Sequence, residues 1–598
     1  MIVFNKKIGV FATLLLLTTS VSIFCNLEQV TETVLVKQYF DKNLLELQEI
    51  VSKSFLSAVN HGDEKKIKEE FLLTRQKYKE VEFYVEYFFP TTAVLLNGAP
   101  IDEIELGENL IENPTGFQVM EELIFNGPVA KNKEELLNEI KKMKLNLARI
   151  SRFNEQYQIT DAQILDALRL EIFRITSLGI TGFDAPLALN SLPESASALR
   201  GVHAVLDCYG DQTTNVLVNQ AINFVQSAES YDNFDRLQFT TEFLQPINEG
   251  IASLRNKRQI LTAASGSALR EDATSMFGKN AFDVNRFVSN SASFISKEKS
   301  TLGEALFSDV ILSNNGGRSC QSCHHQALAF TDGLPKPAGI SKLKMLDRNT
   351  PTLMYAGLQR GFFYDLKAGS LEDQALDVVH HKEEMGGSLE QATIRINKTK
   401  KYSKLFKDAF PDSTGTANPW KIQHALASYI RSLSPFTSKL DRYMGGDKSQ
   451  LTSVEKSGYN LFMGKAKCGS CHFAPIFNGT QAPLFLKSEA EVLGVPSAPD
   501  TIAAVIDSDP GRFGLYQYPQ YRYAFKTPTV RNISRTAPYM HNGVYRTLEQ
   551  VLDFYNRGGG AGIGIHLDNQ TLSGDPLKLS RNEIKSVIAF LNALEDKP

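Results

Sequence analysis

The sequence predicts an all-α protein, and helical periodicity in its first half is the main reason. Apolar residues recur every three or four positions in long stretches between residues 30 and 260, and almost no alternating segment interrupts them. The longest are "ETVLVKQYFDKNLLELQEIVSKSFLSAV", "KEELLNEIKKMKLNLARISRF" and "DAQILDALRLEIFRITSLGI". A second observation concerns the other half, where the pattern C-x-x-C-H occurs at 320–324 and returns at 468–472.

Length and composition describe an ordinary globular protein of several domains. At 598 residues the chain is long enough for three or four units of about 150 residues each. A hydrophobic content of 42% and a charged content of 22% are sufficient for well-formed cores. The net charge of −3 gives no reason to expect nucleic acid as a partner.

The N-terminus predicts export. A short basic start, "MIVFNKK", precedes the apolar run "IGVFATLLLLTTSVSIF", which ends at Cys25. The run indicates a secretory signal, with a membrane-anchoring helix as the alternative. Cys25 could be the lipidated first residue of a bacterial lipoprotein, although the bulky Phe24 stands where a small residue is usual. No later run approaches the roughly 20 apolar residues of a spanning helix.

Four of the six cysteines lie in the two C-x-x-C-H motifs: Cys320, Cys323, Cys468 and Cys471. The pairs lie too far apart for a zinc ribbon, whose pairs are separated by about 15–20 residues. Disulfides suit an exported protein but give no reason for the histidines. Covalent c-type haem explains every residue, because two thiols attach the porphyrin while His324 or His472 binds the iron. The sequence therefore predicts two covalently bound haem c groups.

Six ordered blocks around these motifs resemble the dihaem cytochrome c peroxidase / MauG family over about residues 300–598. They are "CQSCHHQALAFTDG", "RNTPTLMYAG", "GFFYDLKAGSLEDQALDVVHHKEEMG", "SPFTSKLDRYMGGD", "GYNLFMGKAKCGSCH" and "FKTPTVRNISRTAPYMHNGVYRTLEQVLDFYNRGG". The resemblance implies two cytochrome-c-like α-helical domains in tandem, with one haem each. We expect a signal peptide over 1–25, a helical bundle over 26–260, a linker over 261–299, a first (peroxidatic) haem domain over 300–450 and a second (electron-transfer) haem domain over 451–598.

The resemblance implies a peroxide-cleaving pair at the first haem. Gln374 and Glu384 match it, with Glu384 as the acid–base residue and Gln374 as the group that orients peroxide. His380 and His381 depart from the common family wording, and the sequence leaves their role open. No histidine lies between Gln326 and Val379, and only Met345 offers a soft ligand there, so we expect an open, five-coordinate first haem on His324.

The second haem is expected on His472. In the family's peroxidases a methionine lies fourteen residues beyond the histidine that matches His541, and here that position is Tyr555. Tyrosine is the MauG-like arrangement, and a phenolate would lower the potential of the iron. Met540 is the rival ligand. His541 itself is expected near the second haem and its propionates.

The resemblance further implies a relay residue and a calcium ion between the haems. Tyr364 matches the relay position, which is commonly Trp in the family. The only Trp of this chain, Trp420, is expected in a core rather than in the relay. The calcium ligands match Asn349, Thr536 and Pro538, the last two through backbone carbonyls.

The first half resembles, over about 60 residues, the imelysin-type helical domain. Its core motif G-x-H-x-x-E corresponds to Gly116 through Glu121, with Gln118 in place of histidine. The loss of the histidine makes metal binding doubtful, and we expect Glu121 to be a structural or interface residue.

Two classes of function remain. The favoured one is an exported, periplasmic dihaem peroxidase that takes electrons from a cytochrome c or a cupredoxin, or else oxidises a partner protein as MauG does. The alternative is a non-enzymatic dihaem electron carrier or haem-based sensor. MauG uses a surface Trp just before the second haem motif, where this chain has Ala466 and Lys467. The physiological donor, a lipid tether and a homodimer are left open.

Overall fold

The protein is mainly helical throughout the part that the computed structural model describes, which comprises residues 31–105, 110–264, 266–288, 290–411 and 414–597. The signal segment and Cys25 lie outside these ranges. Only four strands, of three residues each, are found among the described residues. The predicted all-α class is therefore confirmed. No helix of the described chain is long and apolar enough to cross a membrane.

Twelve α-helices and one hairpin make up the described part of the first half. The helices are α1 (Glu32–Ile50), α2 (Leu56–His61), α3 (Glu64–Lys79), α4 (Glu82–Phe88), α5 (Pro90–Asn97), α6 (Phe117–Phe125), α7 (Lys133–Gln156), α8 (Asp161–Ser177), α9 (Ser191–Cys208), α10 (Gln212–Gln226), α11 (Arg236–Gln238) and α12 (Gln245–Lys257). Strands β1 (Glu103–Glu105) and β2 (Leu110–Glu112) pair antiparallel. The helices share one cluster of buried apolar side chains between Val36 and Leu254, which accounts for the apolar stripes seen in the sequence.

The degenerate G-x-H-x-x-E motif has structural contacts in this bundle. The carboxylate of Glu121 accepts hydrogen bonds from the backbone N–H groups of Leu187 (3.2 Å) and Ala188 (2.6 Å). The side-chain amide of Gln118 donates to the carbonyl of Asn97 at 2.9 Å. Both polar side chains are buried, so Glu121 stabilises the loop at 187–188 and Gln118 stabilises the end of α5.

The described part of the second half contains nine further α-helices and one more hairpin. The helices are α13 (Lys297–Ser308), α14 (Leu371–His380), α15 (Leu389–Asn397), α16 (Ser403–Ala409), α17 (Pro419–Arg431), α18 (Lys439–Met444), α19 (Ser453–Met463), α20 (Leu548–Asn556) and α21 (Arg581–Ala593). Strands β3 (Ala490–Val492) and β4 (Ala524–Lys526) pair antiparallel. Side-chain caps begin most of these helices; α19, for example, starts with a capping box between Thr452 and Glu455.

The second half repeats one arrangement twice. Helix α13 precedes the first C-x-x-C-H motif and packs on α17, while α19 precedes the second motif and packs on α21. Each crossing has a glycine at its closest point. A Cβ atom at Gly303 would overlap the backbone carbonyl of Ala425, and one at Gly458 would overlap that of Ser586. The two pairs of helices therefore pack as closely as their backbones allow.

A T-P-T tripeptide follows each motif and marks the same repeat. The hydroxyl of Thr352, at the end of the first tripeptide, donates to the carbonyl of Ala329 at 2.6 Å. Thr529, at the end of the second, donates to the carbonyl of Ile476 at 2.6 Å. Each bond connects the tripeptide to the loop that leaves its motif, so the two repeats of the second half share their local architecture as well as their helices.

The segment expected as a linker, 261–299, is irregular until α13 begins, yet parts of it are buried. Leu269, Met276 and Phe282 lie in the apolar cluster around the second motif, together with Phe173 from α8 and side chains of α18. The first motif is surrounded by a separate cluster between Leu302 and Ile430. The N-terminal bundle and the irregular segment therefore pack on the second repeat.

Candidate active site

Both C-x-x-C-H motifs adopt the same backbone. Each begins with a 3-10 turn, at Cys320–Ser322 and at Cys468–Ser470. The N–H of His324 donates to the carbonyl of the first cysteine of its motif at 3.0 Å, and His472 does so in its own motif at 2.9 Å. Each turn therefore brings its two thiols and its histidine to one side of a short loop.

The histidine rings are fixed by the loops that follow. Nδ1–H of His324 donates to the carbonyl of Phe330 at 2.8 Å, and that of His472 donates to the carbonyl of Phe477 at 3.1 Å. This bond leaves Nε2 as the free nitrogen for a metal. Burial lowers the pKa of both rings, that of His472 to about 4. The neutral imidazole, which is the form that binds metals, is thus favoured in both motifs.

The thiols do not form the alternative sites weighed from the sequence. None of the five described cysteines is in a disulfide, and the described residues contain no group of three or more His, Cys, Asp or Glu that could hold a metal ion. Burial raises the pKa of Cys320 and of Cys468 to about 12. The thiols of both motifs are therefore neutral and unpaired by disulfides among the described residues, as covalent attachment of a porphyrin requires.

A cavity of about 760 Å³ opens beside the first motif. Both of its cysteines and His324 line the wall, with apolar side chains such as Phe307, Leu353 and Leu426. Cofactor pockets have volumes of about 300–1,000 Å³ and mostly apolar walls. The cavity and its donor set therefore fit a haem bound through this motif.

Glu384 and Gln374, the predicted peroxide-cleaving pair, both line this cavity. The carboxyl of Glu384 lies close enough to the thiols of Cys320 and Cys323 to raise their pKa values. Burial is the main cause that raises the pKa of Glu384 itself, while the nearby His381 opposes the shift. The cavity thus contains a carboxyl group that keeps its proton more readily than an exposed glutamate.

The structure separates the two histidines whose role the sequence left open. His380 ends α14 and is exposed, and its Nε2 accepts a hydrogen bond from the N–H of Leu389 at 3.3 Å. His381 lines the cavity, with its Nδ1 3.4 Å from Oε1 of Glu384. Only His381 belongs to the site.

Met345 also lines the cavity, and its side chain is 51% exposed. It reaches the wall from the loop that the sequence identified as the only source of a soft ligand. The expectation of an open first haem stays a prediction that spectroscopy must test.

Tyr555 lies near the second motif. Burial is the first cause that raises its pKa, followed by the thiols of Cys468 and Cys471 and the carboxyl of Glu491. The side chain comes from α20 and packs against the same apolar cluster as Cys468. Met540, the rival ligand, packs against the same cluster. Tyr555 therefore lies close to the second motif, and its role as an iron ligand stays a prediction.

His541 is buried between the two repeats of the second half. Its Nε2 is 3.3 Å from Oδ1 of Asp507, and its ring stacks on Phe525 with a centroid distance of 3.7 Å. Its carbonyl accepts a hydrogen bond from the N–H of Asn349 at 2.7 Å. Asp507 also lines the cavity of the first motif, so His541 is connected to both repeats.

Tyr364 forms another connection. Its side chain lines the cavity, its carbonyl accepts from the N–H of Lys526 in β4 at 2.7 Å, and its hydroxyl is 3.5 Å from Oδ1 of Asn349. Asn349, Thr536 and Pro538 were expected to bind calcium. No hydrogen bond joins Asn349 to either of the others in the described chain, and the calcium site stays a prediction.

Two observations could not be read from the sequence. Glu491, on β3, lies within hydrogen-bonding reach of the Cys471 thiol, and nothing in its sequence neighbourhood marks it. Trp420 was expected in a core, and this expectation is wrong. The side chain is 45% exposed in the first turn of α17 and stacks on His424, one helical turn later, at 4.0 Å.

Comparisons with known proteins agree with this geometry. The family model of the di-haem cytochrome c peroxidases matches residues 297–449. Cytochrome-c peroxidase IdrP2 of Denitromonas iodatirespirans is 32% identical over 311 residues, which cover 50% of this chain and 81% of that protein. Methylamine utilization protein MauG of Methylorubrum extorquens is 32% identical over 308 residues, which cover 51% of this chain and 80% of that protein.

Among solved structures, a MauG-like protein associated with microbial copper homeostasis is 30% identical, with a TM-score of 0.46, and the match covers 52% of this chain and 92% of that one. Because relatives more than 30% identical are matched over about four fifths of their length, the chain belongs to the di-haem cytochrome c peroxidase and MauG family and is a peroxidase-type oxidoreductase.

Proposed function

We propose that this enzyme reduces hydrogen peroxide in the cavity beside the first motif and receives electrons through the second. The observation that carries the proposal is the shared cavity wall. Glu384, Gln374 and His324 line one space of about 760 Å³ together with both thiols of the first motif. A proton-transfer group therefore lies in the same cavity as the expected iron ligand.

The cofactors follow from the family and from the motifs. Cys320, Cys323 and His324 would hold the first haem c, and Cys468, Cys471 and His472 would hold the second, with Tyr555 as a further side chain that would bind its iron. The two haems supply the redox equivalents of the reaction when they are bound. We keep Asn349, Thr536 and Pro538 as the proposed calcium ligands between the two domains.

Glu384 would move a proton within the bound peroxide. Heterolytic cleavage requires a group that removes a proton from one oxygen and delivers it to the other. The half-buried carboxyl has a raised pKa, which suits a group that must accept and return a proton. Gln374, on α14, has an amide that can donate to one peroxide oxygen and fix its orientation.

Tyr364 would serve the electron path between the domains. It lines the cavity and is hydrogen-bonded through its backbone to β4 of the second repeat. Burial raises the pKa of its phenol, so an oxidised Tyr364 would need a proton acceptor. This requirement distinguishes it from the tryptophan that is common in the family.

We propose a small redox protein, a cytochrome c or a cupredoxin, as the donor, and an exported, periplasmic location in keeping with the signal segment and Cys25. A MauG-like oxidation of a partner protein is the second candidate. The residues before the second motif do not favour it, because Ala466 is buried and the exposed Lys467 cannot carry an electron hole as a tryptophan can.

Replacement of Glu384 by Gln tests the proposal. The variant should retain two haems by pyridine haemochrome titration and react with peroxide about 10²–10⁴-fold more slowly in stopped-flow experiments. Glu383→Gln is the matched control, since the neighbouring carboxylate accepts a hydrogen bond from the Ser341 hydroxyl at 2.9 Å. A Glu384→Gln enzyme that reacts at the wild-type rate would remove Glu384 from the reaction.

A second variant addresses the other iron. Tyr555→Met should raise the potential of the second haem, because a thioether stabilises ferric iron less than a phenolate does. The initial reaction with peroxide should stay nearly unchanged. An unaltered second-haem spectrum and potential in a redox titration would remove Tyr555 from the iron.

A further inference from the structure

His381 lines the cavity beside Glu384 and is also exposed to solvent. Its side chain is 48% exposed, that of Glu384 is 29% exposed, and Nδ1 of His381 is 3.4 Å from Oε1 of Glu384. His381 follows directly after α14, where its N–H donates to the carbonyl of Asp377 at 2.9 Å. The backbone bond fixes the start of the loop that carries Glu384.

Three other charged groups act on Glu384. Lys367 and Arg318 favour its carboxylate, and Asp377 opposes it. Lys367 forms an ion pair with Asp377 at 3.3 Å. Arg318 extends to the carbonyls of Ala338 (2.9 Å) and Gly339 (3.2 Å). Imidazole is the only one of these side-chain types that ordinarily gains and loses a proton between pH 5 and 8.

We propose that His381 is a positioning residue for proton transfer, which holds the carboxyl of Glu384 at the cavity wall and exchanges its proton with solvent. The inference rests on the proposed role of Glu384. Glu384 returns to one peroxide oxygen the proton that it takes from the other, so cleavage itself leaves it as a carboxylate. Reduction of peroxide to two waters then consumes two protons and two electrons. The electrons come from the proposed redox-protein donor, and each proton passes from the N–H of His381 to the Glu384 carboxylate, after which His381 recovers one from water. No other reactant is needed for this exchange.

A proton-transfer role differs from a merely structural one in its pH dependence. A protonated His381 stabilises the Glu384 carboxylate, so its removal should raise the pH at which Glu384 takes up a proton. The pair is partly exposed, and such pairs contribute about 0.2–1 kcal/mol. We therefore expect proton binding by Glu384 to become up to about fivefold tighter in His381→Asn.

The pH at which Glu384 takes up a proton can be measured without turnover. The measurement is equilibrium binding of cyanide to the oxidised holoenzyme between pH 5 and 9. Hydrogen cyanide must lose its proton when it binds as the anion, so the affinity should change with pH around the proton uptake of Glu384. The midpoint should move to higher pH in His381→Asn and in His381→Gln. His380→Asn, one residue earlier and outside the cavity, should keep the wild-type midpoint.

The Glu384→Gln variant separates the proposed role of Glu384 in peroxide cleavage from the inferred role of His381 in proton transfer. Loss of the midpoint in Glu384→Gln, with the wild-type midpoint retained in both His381 variants, would overturn the inference and leave the role of Glu384 intact. A wild-type midpoint in Glu384→Gln would overturn the proposed role of Glu384 itself. Visible spectra establish that every variant carries both haems, and the two His381 substitutions provide independent tests if one of them folds poorly.

Discussion

The two C-x-x-C-H motifs share a backbone but differ in what surrounds them. Around the first, Gln321, Ser322 and His325 are exposed and a large cavity opens on the histidine side. Around the second, Gly469 and Phe473 are buried. The comparison teaches that the motif fixes covalent attachment and the proximal histidine, whereas the neighbouring elements decide what reaches the site.

The N-terminal bundle causes much of this difference. The ring of Phe183 meets that of Phe473 edge-on, with centroids 5.4 Å apart. The hydroxyl of Ser177, at the end of α8, donates to the carbonyl of Ala474 at 3.1 Å. A side chain at Gly469 would press on Met463 and on Thr181 of the bundle, whereas the corresponding position in the first motif, Gln321, is exposed. The bundle thus encloses the second motif on its loop side.

The largest expected effect on stability concerns the helix crossings that the two repeats share, α13 on α17 and α19 on α21. Gly303→Ala and Gly458→Ala each place a methyl group against a backbone carbonyl of the partner helix. We expect each to cost about 3 kcal/mol of unfolding free energy, measured by thermal unfolding of the holoenzyme. Gly369→Ala is the control, since no atom lies within 4 Å of its added Cβ. An unfolding free energy close to that of the wild type in either variant would contradict the conclusion that both repeats contain the same close helix crossing.

A smaller effect should distinguish the two motifs. Phe183→Ala removes the edge-on contact with Phe473 and should cost about 1–2 kcal/mol. Water would then approach the second motif, stabilise ferric iron and lower the second-haem potential. Leu328→Ala, beside the first motif and on the surface, should change stability by less than about 0.5 kcal/mol. A redox titration in which Phe183→Ala shifts the potential of the first haem instead of the second would contradict the proposed difference between the two motifs.

The smallest effect is a pH dependence of the bundle. Burial raises the pKa of Glu121 to about 7, well above the value of about 4.3 in unfolded chains. The stability that comes from its neutral form is fully present below pH 4.3 and is lost as the pH rises through about 7. Glu121→Gln should therefore differ least from the wild type at pH 4 and gain stability relative to it, by at least about 1 kcal/mol, between pH 4 and pH 8 in denaturant titrations. Equal stability at pH 8 would indicate that the carboxyl ionises freely.

The sequence predicted those parts of the site that depend on local chemistry. The haem motifs, the distal pair and Tyr555 follow residue patterns of the family, and the structure brings each of them to its motif. The helical class could be predicted because apolar periodicity reports directly on a helix face. These features need only a few neighbouring residues to be specified.

Features that depend on tertiary packing could not be predicted. His380 and His381 are adjacent and chemically identical, and only the end of α14 decides which of them faces the cavity. Glu491 reaches Cys471 through the pairing of two short strands, which no periodicity announces. The packing of 261–299 on the second repeat was also missed, because its small and polar residues suggested a linker although Leu269, Met276 and Phe282 are buried.

Electron paramagnetic resonance of the fully oxidised protein tests the central claim most directly, namely that the first motif holds an open haem and the second an enclosed one. We predict a high-spin ferric signal that cyanide converts to low spin, beside a second ferric signal that cyanide leaves unchanged. Two low-spin signals with bis-histidine or histidine–methionine character, neither of which responds to cyanide, would contradict it.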